Sequence, residues 1–425
     1  MHNVDSPRIV LVTNRFQPSR GGIERQSGLL ARALIRHGSA VTVLTDRFRA
    51  DLPAVEDLDG IHVCRVMSLW TLRRPFERVV KSLFIRNTRA KEEGTLQGNA
   101  PTHRFLGQSL RQRTYRLLSY RLPMYVLCLS VFLALVRRKR EYDIIQVFQT
   151  NLLALAGVLA GLVVGKPVVA RDAVSGGMDE LTEFLFSRWT ARTIASHCNF
   201  VALSRHIEED LHRRGIPSTR VERIPNSVEL PSAVPATVGS SRAVLFVGNV
   251  AGDFRQKGLD ILLMAWTRVA KEVPDCRLWI IGGGDFSSFH NVASLHRIQD
   301  STEFLGPKED VSEWYAKCGI FVLPSRYEGM SNALLEAMAY GKPSVVTSIS
   351  GSDDLIENGT NGMKVPPEDE AELAKAIVYL LKHPEEAARM GKNARTAVES
   401  RHAPDAIAER YLSLYHRVLV AEKAK

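Results

Sequence analysis

The chain has 425 residues, long for one domain and suited to two of about 200 residues each. Its 45% apolar and 24% charged content is that of a folded globular enzyme and excludes a fibrous or disordered chain. The net charge of +10 is concentrated: Arg65 to Arg140 hold 17 Lys and Arg against 3 Glu and no Asp, so the remainder is slightly acidic.

The opening MHNVDSPRIVLVTN has no basic region ahead of an apolar core, so no secretory leader is expected, and Arg8 to Thr13 reads as a buried strand. The loop NRFQPSRGG and a helix from about Ile23 to His37 follow, then a strand from Val41 to Thr45. Gly21 and Gly22 form a turn before that helix, but not a GxGxxG fingerprint. Asp46 is the nearest ribose-binding acid, so nicotinamide binding is not expected. Asp57-Leu58-Asp59, in VEDLDG, reads as a polar loop rather than a metal-binding carboxylate pair, and a strand IHVCRV follows.

Tyr120 to Val136 has an uninterrupted apolar core of about 15 residues, short of the ~20 that span a bilayer. A buried helix of the first sheet is expected there. Its basic flanks, Arg111, Arg113, Arg116, Arg121 and the run RRKR at 137–140, suit a helix lying against anionic lipid. Strands at Asp143 to Val147, Pro167 to Ala170 and Phe200 to Leu203 continue the sheet. Glu229 to Arg242 becomes a Pro/Ser/Gly linker.

The pattern then restarts with AVLFVGN, a helix from about Leu259 to Val273, and RLWIIGGG, and runs through FVLPS and PSVVT to a final pair of helices. Two open, doubly wound α/β sheets joined by a linker place a cleft at their C-terminal strand ends. The expected division is 1–230, with a basic insertion at about 69–121, a linker at 231–241, and 242–404. Five scattered cysteines without a CxxC pair indicate reduced thiols in the cytoplasm and no structural zinc. His206, His212 and His296 lack ligand spacing and are expected on solvated helical faces.

The most informative stretch is YEGMSNALLEAMAYGK, Tyr327 to Lys342, in which Glu328 and Glu336 are separated by seven residues. A buried-strand pattern precedes it, and Asn332 to Tyr340 reads as a helix. Gly329, Met330 and Ser331 therefore sit at a strand-to-helix turn with Ser331 or Asn332 as N-cap, a ready anion site. Glu336, one turn in, would lie on the order of 6 to 7 Å from a bound anion at 1.5 Å rise per residue. That matches the offset between a nucleotide's diphosphate and its ribose diol.

VGNVAGDFRQKG, Val247 to Gly258, places Arg255 and Lys257 at a second helix start, where cations suit a diphosphate. IIGGGD supplies Gly282, Gly283 and Gly284 after a strand, where backbone can approach a ligand closely. There is no GxxxxGK[ST] phosphate loop.

With these pieces in order the chain resembles the retaining glycosyltransferases of family 4, with the GT-B fold. The resemblance spans nearly the whole length: FQPSRGGIERQSGLLARALIRHG, RVERIPNSVEL, FVGN with RQKGLDILLMAW, RLWIIGGGD, the stretch from FLGPKED to EAMAYGKP, GTNGMKVPPEDEAELAKAI and RYLSLYHRVL. It implies cofactor-free, metal-independent transfer of a sugar from a nucleotide diphosphate, UDP- or GDP-linked. Retention would follow from front-face attack, with the departing phosphate oxygen taking the acceptor's proton.

It also implies residue roles. Glu328 would contact the donor sugar and Glu336 the ribose hydroxyls. The backbone of Gly329, Met330, Ser331 and Asn332 would hold phosphates and sugar, with Arg255 and Lys257 neutralising the leaving diphosphate. Gly21 and Gly22 would approach it from the other domain, and Gly282 to Gly284 with Pro307 and Lys308 would line the base pocket. The closing helix, about 405–425, would cross back onto the first domain.

Three departures stand out: Asn249 replaces the usual Arg, Gln149 stands where a His is common, and a long basic insertion is present. Gln149, Arg171 and Asp172 are candidate acceptor contacts. The expected partners are the donor, a lipid-linked or oligosaccharide acceptor and the anionic inner face of the plasma membrane. Nucleic acid is not expected, since the basic run has no interleaved aromatics. The alternatives are a soluble small-molecule glycosyltransferase and a catalytically weakened GT-B nucleotide-binding module.

Overall fold

The computed structural model describes residues 6–19, 21–69, 121–173, 187–232, 241–250 and 255–424. Nearly all of the expected basic insertion and most of the linker lie outside these residues.

The first sheet contains β1 (Ile9–Val12), β2 (Val41–Asp46), β3 (Val55–Leu58), β4 (Ile61–Val66), β5 (Ile144–Val147), β6 (Val168–Asp172), β7 (Cys198–Ala202) and β8 (Val221–Arg223). Their order is β3-β4-β2-β1-β5-β6-β7-β8. Every pairing is parallel except β3 with β4. The second sheet contains β9 (Ala243–Val247), β10 (Arg277–Ile281), β11 (Thr302–Gly306), β12 (Ile320–Leu323), β13 (Ser344–Thr347) and β14 (Met363–Val365). It is wholly parallel, in the order β11-β10-β9-β12-β13-β14.

The helices are α1 (Gly22–Arg36), α2 (Leu122–Arg137), α3 (Leu152–Val164), α4 (Ser187–His197), α5 (Arg205–Arg213), α6 (Leu259–Glu272), α7 (Ser287–Leu295), α8 (Ser312–Lys317), α9 (Asn332–Ala339), α10 (Ser350–Asp353), α11 (Glu370–Lys382), α12 (Pro384–Arg401) and α13 (Pro404–Lys423). The strand order reverses direction beside β1 in the first sheet and beside β9 in the second. Those two switch points carry the loops that meet in the cleft.

The VEDLDG segment is a correction. It is not a loop but an edge hairpin, with Asp57 opposite His62 and the turn at Asp59 and Gly60, φ 50° and 80°. A two-residue hairpin turn needs positive φ at both central positions, which Asp-Gly supplies. Three further strands, β8, β11 and β14, were not expected: β8 and β14 have three residues each, and β11, TEFLG, is only partly apolar.

α2 forms where the apolar run predicts it, with Met124, Leu127, Val131 and Leu135 turned into the core. α3 packs beside it, hydrophobic around nearly its whole circumference. On the other sheet face lie α1 and α13. Leu30 and Leu34 of α1 meet Ile407, Tyr411, Leu414, Tyr415 and Val418 of α13 over Leu11, Val43 and Ile144. The three- and four-residue spacing of those α13 positions makes one apolar stripe, each large side chain contributing about 1.5–3 kcal/mol on burial. The closing helix thus crosses back to the first sheet, as expected. Tyr415 fixes its depth, its hydroxyl donating to Gln146 Oε1 at 3.0 Å inside the core. Gln146 therefore faces the core rather than the cleft.

Candidate active site

β12 is a fully buried strand, and the chain turns between Leu323 and Asn332 before α9 begins. Ser331 is the N-cap, its hydroxyl accepting from the Leu334 N–H at 3.4 Å. The first-turn amides of α9 have no intrahelical partners, and the helix end carries partial positive charge. Glu328 stands just before this turn, accepting from the Ser325 hydroxyl at 3.1 Å and ion-paired with Lys257. Glu336 is buried one turn inside α9, at 7% exposure, and is ion-paired with Arg25 of α1 from across the cleft. Burial raises the Glu336 carboxyl above its ordinary range, and the Arg25 charge opposes that rise.

Lys257 is carried by the turn Arg255–Gly258, which precedes α6. Gly258 has φ 65°, and a Cβ there would stand 1.9 Å from the Pro324 carbonyl oxygen, so only glycine lets this turn lie against the β12 exit. Arg255 is exposed on the same turn. Lys257 is thereby brought to Glu328, the residue directly before the 329–332 segment. Asn249 does not stand in for a cation: its Oδ1 accepts the Gly283 N–H at 2.7 Å and ties the β9 exit to the glycine loop after β10. A Cβ on Gly282 would fall 1.9 Å from the Gly248 oxygen, which explains the first of the three glycines. Gly283 and Gly284 are more open. Lys308 lies farther along this edge, its ammonium 5.9 Å from the centre of the Trp314 ring.

The opposite wall comes from α1 and the chain after β8. Gly22 offers its carbonyl to Asn332 Nδ2 at 3.4 Å, and a Cβ on Gly22 would stand 3.0 Å from that nitrogen. Gly21 leaves room for the Glu24 carboxylate. Gln26 donates to Asn332 Oδ1 at 3.0 Å and exchanges two hydrogen bonds with the Ser227 backbone, at 2.7 and 3.0 Å.

Asn226 is the junction of the two walls. Its N–H donates to Met330 Sδ at 3.3 Å. Its Nδ2 donates to Asn332 Oδ1 at 2.8 Å and to the Met330 carbonyl at 3.4 Å. Its Oδ1 accepts from Arg171, and its carbonyl accepts from His402 Nδ1 at 2.9 Å. Burial lowers the His402 pKa and so favours the neutral ring, while the bond to the Asn226 carbonyl opposes that shift.

Residues 21–227 match the family model described as glycosyl transferase 4-like domain, and residues 241–383 match glycosyl transferases group 1. The chain belongs to this glycosyltransferase family. An uncharacterised glycosyltransferase of Haemophilus influenzae is 30% identical over 204 residues, 48% of this chain and 57% of that protein. The N,N'-diacetylbacillosaminyl-diphospho-undecaprenol α-1,3-N-acetylgalactosaminyltransferase of Campylobacter jejuni is 28% identical over 231 residues, 52% of this chain and 60% of that protein. The chain thus spans little more than half the length of these two curated relatives.

Solved structures align over nearly the whole chain. Sucrose-phosphate synthase of Thermosynechococcus elongatus gives a TM-score of 0.73 at 20% identity, covering 98% of this chain and 100% of that one. HepE of Anabaena, solved with UDP, gives 0.68 at 17% identity, covering 96% and 100%. The fold of this glycosyltransferase is GT-B.

Two of the three candidate acceptor residues of the glycosyltransferase, Arg171 and Asp172, are buried. Arg171 is 3% exposed, held by Asn226 and stacked 5.2 Å over the Phe148 ring. Asp172 is 2% exposed and accepts from Thr150 at 3.2 Å, while half-buried Gln149 accepts from Asn151 Nδ2 at 3.2 Å. Among the described residues no group of three or more His, Cys, Asp and Glu is arranged to hold a metal ion.

Sequence reasoning missed Arg25, Gln26, Asn226 and Ser227. A partial signal lay in GGIERQ, polar where α1 begins ahead of the apolar run GLLARALI; IPNSV, between VER and EL, carries none.

Proposed function

We propose that this glycosyltransferase moves a hexose, with retention and without a metal ion, from a nucleotide-diphosphate sugar to a glycan acceptor carried on a lipid. The observation that carries the donor reading is the placement of Glu328 and Glu336 on either side of one helix N-terminus, with Lys257 beside it. A departing diphosphate gathers charge at its outer oxygens, and a lysine plus unpaired amides are suited to stabilise that charge. Glu336, deeper in α9, is offset as a ribose diol would be. Glu328 faces the end where the sugar is attached.

On this reading the bond from the anomeric carbon to the phosphate oxygen breaks as the acceptor oxygen adds on the same face. The acceptor proton passes to the departing phosphate oxygen, so no protein base is required. UDP bound to HepE and a diphospho-undecaprenol saccharide in the name of the Campylobacter relative support the donor and acceptor classes. A role in polysaccharide assembly, with the 1–230 segment facing the acceptor and the 242–404 segment the donor, follows.

Peripheral attachment to the inner face of the membrane rests on α2. Leu122, Val126, Leu129 and Leu133 line its outer side at helical spacing and continue into Arg137 and Arg140. Leu122, Leu129 and Leu133 are 42%, 59% and 39% exposed, and Leu162 and Val163 at the end of the adjoining α3 are exposed as well. An apolar stripe ending in arginines suits the headgroup region of an anionic bilayer. No helix among the described residues is long and apolar enough to cross a membrane.

The test is a panel of UDP-, GDP-, ADP- and dTDP-sugars assayed in EDTA with a polyprenyl-diphosphate saccharide, with and without anionic vesicles. Transfer from one donor with the anomeric configuration kept, stimulated by vesicles and dulled in a Leu129→Glu/Leu133→Glu variant, is the expected result. Inversion, dependence on added divalent metal, or no transfer from any donor overturns the mechanism. Indifference to vesicles overturns the membrane component.

A further inference from the structure

Lys257 and Arg255 lie on a four-residue turn, and such a turn does not hold its own side chains in place. What fixes it is Arg326, two residues before Glu328. All five N–H donors of its guanidinium are engaged. Nη1 and Nη2 make a bidentate pair with Asp260 at 2.8 Å each. Nη2 also reaches Glu368 Oε2 at 3.0 Å, Nε bonds the other Glu368 oxygen, and Nη1 donates again to the Arg255 carbonyl.

The main chain repeats the connection: the Arg326 N–H donates to the Gln256 carbonyl at 2.8 Å, and Gln256 Nε2 to the Tyr327 carbonyl at 3.4 Å. Arg326 is largely enclosed, with 14% of its side chain exposed. Glu368 adopts φ 62°, a left-handed conformation that a non-glycine residue takes only when its surroundings hold it there.

This arrangement has an electrostatic consequence. Asp260 and Glu368 are two carboxylates near the cation-bearing turn, and unpaired they would draw Arg255 and Lys257 toward themselves and repel a phosphate. A single guanidinium neutralises both and grips the turn's backbone at the same time. Lysine, a point charge with three donors, cannot make that five-bond fork.

We propose that Arg326 is a positioning residue for the leaving diphosphate, presetting Arg255 and Lys257 against the Glu328 turn before a donor arrives. This rests on the donor reading above. Arg326 itself touches no reacting atom.

The experiment is calorimetric titration of wild type, Arg326→Ala, Arg326→Lys and Glu368→Gln with whichever of UDP, GDP or ADP the wild type binds. Titration with the corresponding nucleoside, followed by NMR, provides the reference. Diphosphate affinity should fall roughly tenfold or more in Arg326→Ala, about fivefold in Arg326→Lys and about twofold in the shape-conserving Glu368→Gln. Nucleoside affinity should stay within about twofold throughout, because base and ribose contacts lie elsewhere. Parallel loss of nucleoside and diphosphate binding, or unchanged diphosphate binding, overturns the role of Arg326 alone. A wild-type protein that binds none of the three diphosphates overturns the donor reading and this role with it.

Discussion

The two walls of the cleft are built in different ways. The wall from the second sheet draws on short stretches beside strand exits and helix starts: Gly248–Val250, Arg255–Gly258, Gly282–Gly284 and Ser325–Glu336. The wall from the first sheet is assembled from residues far apart in sequence: Arg25 and Gln26 on α1, Arg171 at the end of β6, Asn226 after β8 and His402 between α12 and α13. The first kind of wall presents charge to a ligand from short local motifs. The second presents a hydrogen-bond network whose partners are other parts of the protein. Chemistry should therefore concentrate in one wall and mechanical integrity in the other.

Glu328→Gln tests the chemical wall and carries the largest expected effect. The amide keeps the volume and the contact with Ser325 but loses the charge facing Lys257 and, on the proposed reading, the donor sugar. We expect kcat to fall about a thousandfold, or ~4 kcal/mol of transition-state stabilisation, with the melting temperature nearly unchanged. A kcat within about tenfold of wild type in a steady-state assay removes Glu328 from the reaction.

Asn226→Ala tests the mechanical wall and should show the opposite balance. It strips the buried Arg171 guanidinium of its acceptor and removes the bonds to Met330 and Asn332. Losing a hydrogen bond to a buried charged group costs about 1.5–3 kcal/mol, so chemical denaturation should show a loss of about 3 kcal/mol. Turnover per folded molecule should fall far less than in Glu328→Gln. Were Asn226→Ala as stable as wild type, the junction between the walls would not be a structural one.

The same contrast explains what the sequence disclosed. YEGMSNALLEAMAYGK was legible because turn, cap and helix follow one another within sixteen residues, shortly after a buried strand, and each has a local signature. RQKG was legible for the same reason. Asn226 was not, because nothing in IPNSV announces that its partners are Arg171, Met330, Asn332 and His402. Such partners are brought together only by the closing of two sheets and the return of α13. The continuous apolar run that reveals β1 or β12 is absent from the three residues of β8, and a hairpin at Asp59-Gly60 was passed over because its strand VEDL has two acids at its centre. Asn249 is a further case: its place after β9 gives no hint that its side chain accepts from the Gly283 N–H of the neighbouring glycine loop.

Arg25 belongs to both walls, and the smallest predicted effect lies there. Its guanidinium holds the Glu336 carboxylate, the same group that ribose hydroxyls are proposed to bond. Hydroxyls donate best to an ionised carboxylate, so nucleotide affinity should decline as pH falls through the Glu336 pKa. Burial already places that pKa above the usual glutamate value, with Arg25 opposing the shift. Removing the opposing charge must raise it further. The pH at which affinity is half lost should therefore move upward in Arg25→Ala, while Arg25→Lys, retaining the charge, should stay close to wild type. Above the Glu336 pKa, where the carboxylate is ionised, Arg25→Ala should bind at least as tightly, because no guanidinium competes with the ribose. Titrating nucleoside diphosphate from about pH 5.5 to 8.5 reads both effects, and superimposable profiles for Arg25→Ala and wild type would mean that the pair is a surface contact without bearing on the donor.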